Sequence, residues 1–241
     1  MMKREIIPAI MPTDYEDLTS KISRVSHLVK WAQIDVMDGK FVKSTSWPYK
    51  KYKHFEEMIK QEEGLPHWED LNFEIDLMTL SPQAEIPKWI EIGVSRVIIH
   101  IASLEDPRSI DLEGNRNTEE SNKNFLKKLK EDGLVEVCLA ITPNIPNSEL
   151  DKYKDLYDSV QFMGIEHVGY QGEEFVPEVL NKIKEFRKEN SEANIGIDGG
   201  VNFDTIEDLV EAGANRLVSG SALFNAIDLK EALDDMKDLI S

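Results

Sequence analysis

Eight short apolar segments recur along the 241 residues, beginning near Glu5, Trp31, Asn72, Arg96, Val135, Ser159, Asn194 and Arg216. The stretches between them carry apolar residues at helical spacing. No hairpin turn signal joins any neighbouring pair, so the strands are expected to run parallel, each followed by a helical crossover. Short continuous apolar runs are what strands buried on both faces look like. Eight such units closed on themselves make a (β/α)8 TIM barrel, which takes about 250 residues as a single domain. The expectation is therefore one α/β domain over residues 1–241, with a doubly wound open sheet as the alternative. Leu18, Ile22, Val25 and Val29 form one helical stripe, opened by a capping box of Thr13 and Glu16. Leu229, Leu233, Met236 and Ile240 form another, opened by Asp228. Phe203, Ile206, Leu209 and Val210 run toward a stop at Gly213. Two connections are long. Residues 39–71 include a helix-like stretch at 51–62, and residues 103–117 are polar and suited to a mobile segment. Both follow the C-terminal end of a strand, where barrels place lids and substrate loops.

Charge narrows the partners. With 28 basic against 46 acidic residues the formal net charge is −18, which repels nucleic acid and anionic membranes. No apolar run approaches a bilayer span, and the apolar part of the N-terminus is too short for a secretory signal. The expectation is a soluble, cytoplasmic protein, with a homo-oligomer left open. Cys138 is the only cysteine, so disulfide scaffolds and Cys-based zinc sites are excluded. Its place in the apolar run 137–141 reads as core.

Two loops carry the first chemical signal. NIGIDGGVN at 194–202 and RLVSGSALF at 216–224 each leave a short strand through small residues and enter a helix. Such loops present backbone N–H groups at a helix N-terminus, where a phosphate binds without a cation. Gly199, Gly200, Gly220 and Ser221 are the candidate phosphate binders; the alternative is that these glycines only make tight turns. Given the net charge, a phosphate site here relies on local amides.

The strand ends carry the second. In order they are Asp35, Asp76, His100, Thr142, Met163 and Asp198. Three carboxylates facing one barrel mouth repel one another and lose hydration. Either a cation neutralises them, or some are protonated and poised as acids. Solvated turn aspartates are the bland alternative. His100 either lines the pocket or is a satisfied core residue.

IIPAIM, IDVMDGKFV, DLM, LAITPNIP, FVPEVLNKI, IDGGVN and GANRLVSGSALF together resemble the ribulose-phosphate 3-epimerase family over nearly the whole chain. The resemblance implies a (β/α)8 barrel acting on a phosphorylated ketose, a pentulose 5-phosphate, with inversion at C3 beside the C2 ketone. It assigns acid and base roles to Asp35 and Asp198, and pocket positions to Met37, Met78 and Met163. In that family a divalent metal is held by two histidines and two aspartates. Asp35 and Asp198 match the two aspartates, but Gln33 and Asp76 stand where the histidines belong. An all-oxygen set of Gln33, Asp35, Asp76 and Asp198 suits magnesium or manganese better than zinc. The alternative is that Gln33 hydrogen-bonds Asp76 and no metal is present. The family's lid is altered too. Gly169 and Gly172 match it, Gln171 and Glu173 replace a glycine and a glutamine, and Ala9 stands in a serine position. His167 on that loop reads as exposed. Two other functions stay open: a phosphate-barrel lyase or decarboxylase, disfavoured because the segment at Asp76 lacks their lysine, and a non-catalytic sugar-phosphate binder, which would not need both aspartates.

Overall fold

The computed structural model describes residues 3–170 and 172–241, so Gln171 lies outside the described residues. Eight strands form: β1 (Glu5–Ile10), β2 (Trp31–Met37), β3 (Asn72–Met78), β4 (Arg96–His100), β5 (Glu136–Ile141), β6 (Ser159–Met163), β7 (Asn194–Asp198) and β8 (Arg216–Ser219). Each pairs in parallel with the next, and β8 returns to β1, closing a TIM barrel. Only the fifth strand starts away from its expected residue, one position later, at Glu136.

The helices are α1 (Tyr15–Val25), α2 (Tyr52–Lys60), α3 (Pro82–Glu91), α4 (Ile101–Leu104), α5 (Glu119–Asp132), α6 (Glu178–Glu189), α7 (Ile206–Ala212), α8 (Ser221–Phe224) and α9 (Leu229–Leu239). Between β5 and β6 there is only a 3-10 segment, Asn147–Tyr153. Pro143 and Pro146 precede it, and each disfavours helical backbone at the residue before it. Three details differ from or match the sequence reading. The cap of α1 is Asp14, not Thr13: its side chain accepts from Asp17 N, while Asp17 Oδ2 accepts from Thr13 N at 2.9 Å. The reciprocal pair is thus shifted by one residue and Glu16 is free of it. Phe203 is exposed, because residues 202–205 form a turn held by the Asn202 side chain and α7 starts only afterwards. Asp228 caps α9 and Gly213 ends α7 at φ +115°, both as expected.

Strand residues alternate between two layers. Outward residues such as Ile34, Val36, Ile75, Leu77, Val97 and Ile99 are fully buried beneath the helices, with Trp47, Phe55 and Trp89 packed among them. The inward face is not apolar throughout, and charged residues occupy it below the mouth as well. At the N-terminal end, Arg96 pairs with Glu74 and lies 3.0 Å from Glu136. Arg216 meets Glu136 at 2.5 Å, and the Arg96 guanidinium lies 4.0 Å from the Trp31 ring centre. Charges can be buried here because each has an opposite partner. This ionic floor closes one end of the barrel. Above it Ile98, Cys138 and Ala140 pack with Met163, and burial pushes the Cys138 thiol up to about 12. A cavity of about 650 Å³ at the closed end, between the start of β1, the α1–β2 turn and the end of α9, contains none of the candidate residues. Among the described residues no helix is long and apolar enough to cross a membrane.

Candidate active site

Period-two alternation puts Gln33, Asp35 and Met37 of β2 on the inner face, with Asp76 and Met78 of β3 beside them. Asp35 is in register with Asp76, and Gln33 with Glu74 one layer lower. Asp198 ends β7 and His100 ends β4. Oxygens of Asp35, Asp76 and Asp198 lie within 4.8 Å of one another. From its lower layer the Gln33 amide reaches up its own strand and across the barrel: Nε2 donates to Asp35 Oδ1 and to Asp198 Oδ2, each at 2.8 Å. It does not bond Asp76, the partner considered from sequence. That role falls to His100, whose Nε2 lies 2.8 Å from Asp76 Oδ1. The imidazole is buried, with the Phe41 ring 5.7 Å away.

The electrostatics follow from crowding. Burial, and then the charges of Asp198 and Asp76, raise the Asp35 carboxyl well above the usual range. Burial, and then Asp76, push Asp198 up to about 7. The Gln33 hydrogen bonds oppose both shifts. Crowding and burial thus favour keeping a proton within the pair. That is the arrangement general acid–base chemistry needs.

Over these acids lies a cavity of about 250 Å³. Its wall includes Asp35, Met78, Met163, Gly169, Gly172, Asp198, Gly199, Gly200, Gly220 and Ser221, all singled out from sequence. Gln33, Met37, Asp76 and His100 stand behind the wall instead; each is buried. Gly199 and Gly200 adopt φ of +93° and +71°, and a Cβ on Gly200 would come 2.7 Å from Phe175. α8 starts at Ser221, so its first N–H groups have no partner within the helix. No Lys, Arg or His among the described residues lines the cavity. Sequence reasoning passed over Tyr170 and Asn202, which also line it; adjacency to matched glycines was the only clue. Ile165, Gly169, Tyr170, Gly172 and Glu173 of the segment after β6 line the cavity. The start of that segment is tied to the end of β7 by Gly164 N donating to Asp198 O at 2.7 Å. Val168 packs against the cluster of Ile98, Cys138, Ala140 and Met163. A Cβ on Gly169 would crowd Val42 and the Met37 sulfur. His167 is exposed, 3.5 Å from Glu173.

In composition the three aspartates suit a hard cation such as magnesium or manganese. Their hydrogen bonding competes with one. One oxygen each of Asp35 and Asp198 faces the positive end of an N–H dipole of Gln33, which sits where a cation bridging the two would lie, and one oxygen of Asp76 is taken by His100, while Asp76 Oδ2 is buried with no partner among the described residues. Zinc lacks the imidazole donors it prefers.

Residues 5–224 match the profile of the Ribulose-phosphate 3 epimerase family. The chain belongs to that family. Members of this family of isomerases include the ribulose-phosphate 3-epimerase of Candida glabrata, 28% identical over 245 residues, covering 99% of this chain and 93% of that protein. The Schizosaccharomyces pombe enzyme of the same name is 24% identical, covering 100% and 95%. The chloroplastic ribulose-5-phosphate-3-epimerase of Arabidopsis thaliana is 28% identical, covering 98% and 77%. Among solved structures, 3-hexulose-6-phosphate synthase from Salmonella typhimurium superposes with a TM-score of 0.66 at 12% identity, covering 99% of this chain and 98% of that one. The 3-keto-L-gulonate-6-phosphate decarboxylase from Vibrio cholerae gives 0.67 at 14% identity, covering 100% of each chain. At such identity these structures share the fold alone with this epimerase-family chain.

Proposed function

We propose that this chain interconverts ribulose 5-phosphate and xylulose 5-phosphate by proton transfer at C3 between Asp35 and Asp198. The observation that carries the reading is that these two carboxylates come from β2 and β7, with β1 and β8 between them, and border one cavity. One ionised carboxylate removes the C3 proton from one face of the ketose, leaving an enediolate. The other, protonated, returns a proton to the opposite face, and the configuration inverts. The enzyme then needs only an exchange of protons with water to reset.

The raised carboxyls suit this use, since acid and base work best with pKa values near the working pH. The phosphate end is placed at Gly199, Gly200, Gly220 and Ser221, where backbone amides supply the attraction that the acidic surface does not. Met78 and Met163 supply a polarizable apolar wall. The lid at Gly169 and Gly172 excludes water from the enediolate. All eight strands enclose the site, which supports reading residues 1–241 as one domain. A substrate of this class is free in solution, so we assign the enzyme to the cytoplasm.

The test is solvent-deuterium incorporation at C3 of ribulose 5-phosphate, followed by NMR. Incorporation with appearance of xylulose 5-phosphate is expected. A folded protein that neither exchanges C3 nor forms the epimer overturns the reading in favour of a non-catalytic binder.

A further inference from the structure

Two carboxylates that share a cavity, Asp35 buried and Asp198 half-buried, repel each other, and something must hold them at a fixed separation. The Gln33 amide nitrogen carries two hydrogens and gives one to Asp35 and one to Asp198, each at 2.8 Å. Its lone pair is delocalised into the carbonyl, so it is a donor only. Gln33 is fully buried and its Oε1 has no partner among the described residues, so these two bonds alone set the orientation of the amide. A neutral amide thereby spans the pair and favours its ionised forms, as a cation between them would. The third acid, Asp76, is held through Oδ1 by His100, while its Oδ2 has no partner among the described residues.

We propose that Gln33 is a positioning residue whose amide nitrogen bridges Asp35 and Asp198 in place of a divalent cation, so that proton transfer in this chain needs no bound metal. This deepens the epimerase reading and rests on it.

Gln33→Glu tests the bridge, because it swaps the bridging nitrogen for an oxygen of the same size. Wild-type protein is expected to carry substoichiometric divalent metal on purification, by plasma emission, and to show C3 exchange unchanged by EDTA. The Glu variant presents four carboxyls and no bridging donor. Its manganese affinity by calorimetry should rise by at least about tenfold, and its exchange should become EDTA-sensitive. Gln33→Met removes the donors without adding charge, and covers the case of a Glu variant that does not fold. Its kcat should fall by about 10–100-fold with KM little changed. Stoichiometric metal in the wild type, equal manganese affinity in wild type and Gln33→Glu, or an unchanged kcat in Gln33→Met overturns the proposal. Should no ketose phosphate exchange at all, the epimerase reading fails, while metal content and the manganese titrations still decide the bridge.

Discussion

Asp35 and Asp198 approach the barrel mouth from strands that do not touch, yet each accepts a hydrogen from the same nitrogen, Gln33 Nε2. Their separation is thus set by one side chain rather than by two loops. Asp35→Asn and Asp198→Asn should each lower C3 exchange by about 10²–10⁴-fold, the range for losing a general acid or base. Neither should unfold the protein, because each removes one of two mutually repelling charges at the same site. Melting followed by circular dichroism should show a midpoint equal to or above wild type at pH 8. Full activity in either variant sinks the acid–base assignment.

Asp198, raised to about 7 from an ordinary carboxylate value of 3.8, ties stability and rate to pH in opposite senses. A folded-state value above the unfolded one means the native protein binds more protons between about 4 and 7. The stabilising contribution is complete below the unfolded value and is lost as pH rises through the folded one. The expected loss is on the order of a few kcal/mol between pH 4 and pH 8, relative to Asp198→Asn measured alongside. The rate runs the other way on its acid limb. kcat/KM should climb toward pH 7 as one carboxyl ionises, then fall once the second loses the proton it must donate. Urea titrations across this range, with and without the Asn substitution, check the first claim. A bell-shaped profile checks the second.

The layout of the barrel was readable because it depends on alternation, and alternation is local: the strand starts and the glycine stop of α7 come from residues a few positions apart. The inward-facing carboxylates were readable for the same reason, each sitting at a strand's last turn of alternation. What links them was not. Gln33 pairs with Asp198 across 165 positions, and only the tilt and register of the closed barrel decide whether its amide reaches Asp198 or Asp76. The ionic floor was missed because Arg96, Glu136 and Arg216 open their strands and Glu74 lies in the first half of β3, where a charge reads as a solvated end. Closure of the sheet turns those ends inward. Likewise the prolines before Asn147 signal a weak helix in retrospect, but the acidic and basic pattern there reads as a helical face.

The phosphate end can be probed at Gly200. Its φ of +71° disfavours any side chain, and a Cβ would meet Phe175 at 2.7 Å. Gly200→Ala should cost about 1–3 kcal/mol of stability through backbone strain. It should also displace the loop that the substrate's phosphate needs. Calorimetry with a phosphorylated ketose and with its unphosphorylated parent separates the two effects. Weaker binding of the phosphorylated ligand alone is expected, and equal losses for both would argue against a phosphate role.

The floor of the barrel offers a test of what closes the fold beneath the site. Arg96 is buried between Glu74 and Glu136 and lies over Trp31. Burial raises the Glu74 carboxyl, and Arg96 is the first influence holding it back. Arg96→Met should strand Glu74 without its counter-ion, at about 3–5 kcal/mol, the usual result of breaking one side of a buried pair. Adding Glu74→Gln should return part of that loss, since the stranded charge is then gone while the methionine keeps some contact with the indole. Urea unfolding of the single and double variants measures the difference. A double variant no more stable than Arg96→Met would mean that loss of packing on Trp31, and not the unpaired Glu74, sets the cost.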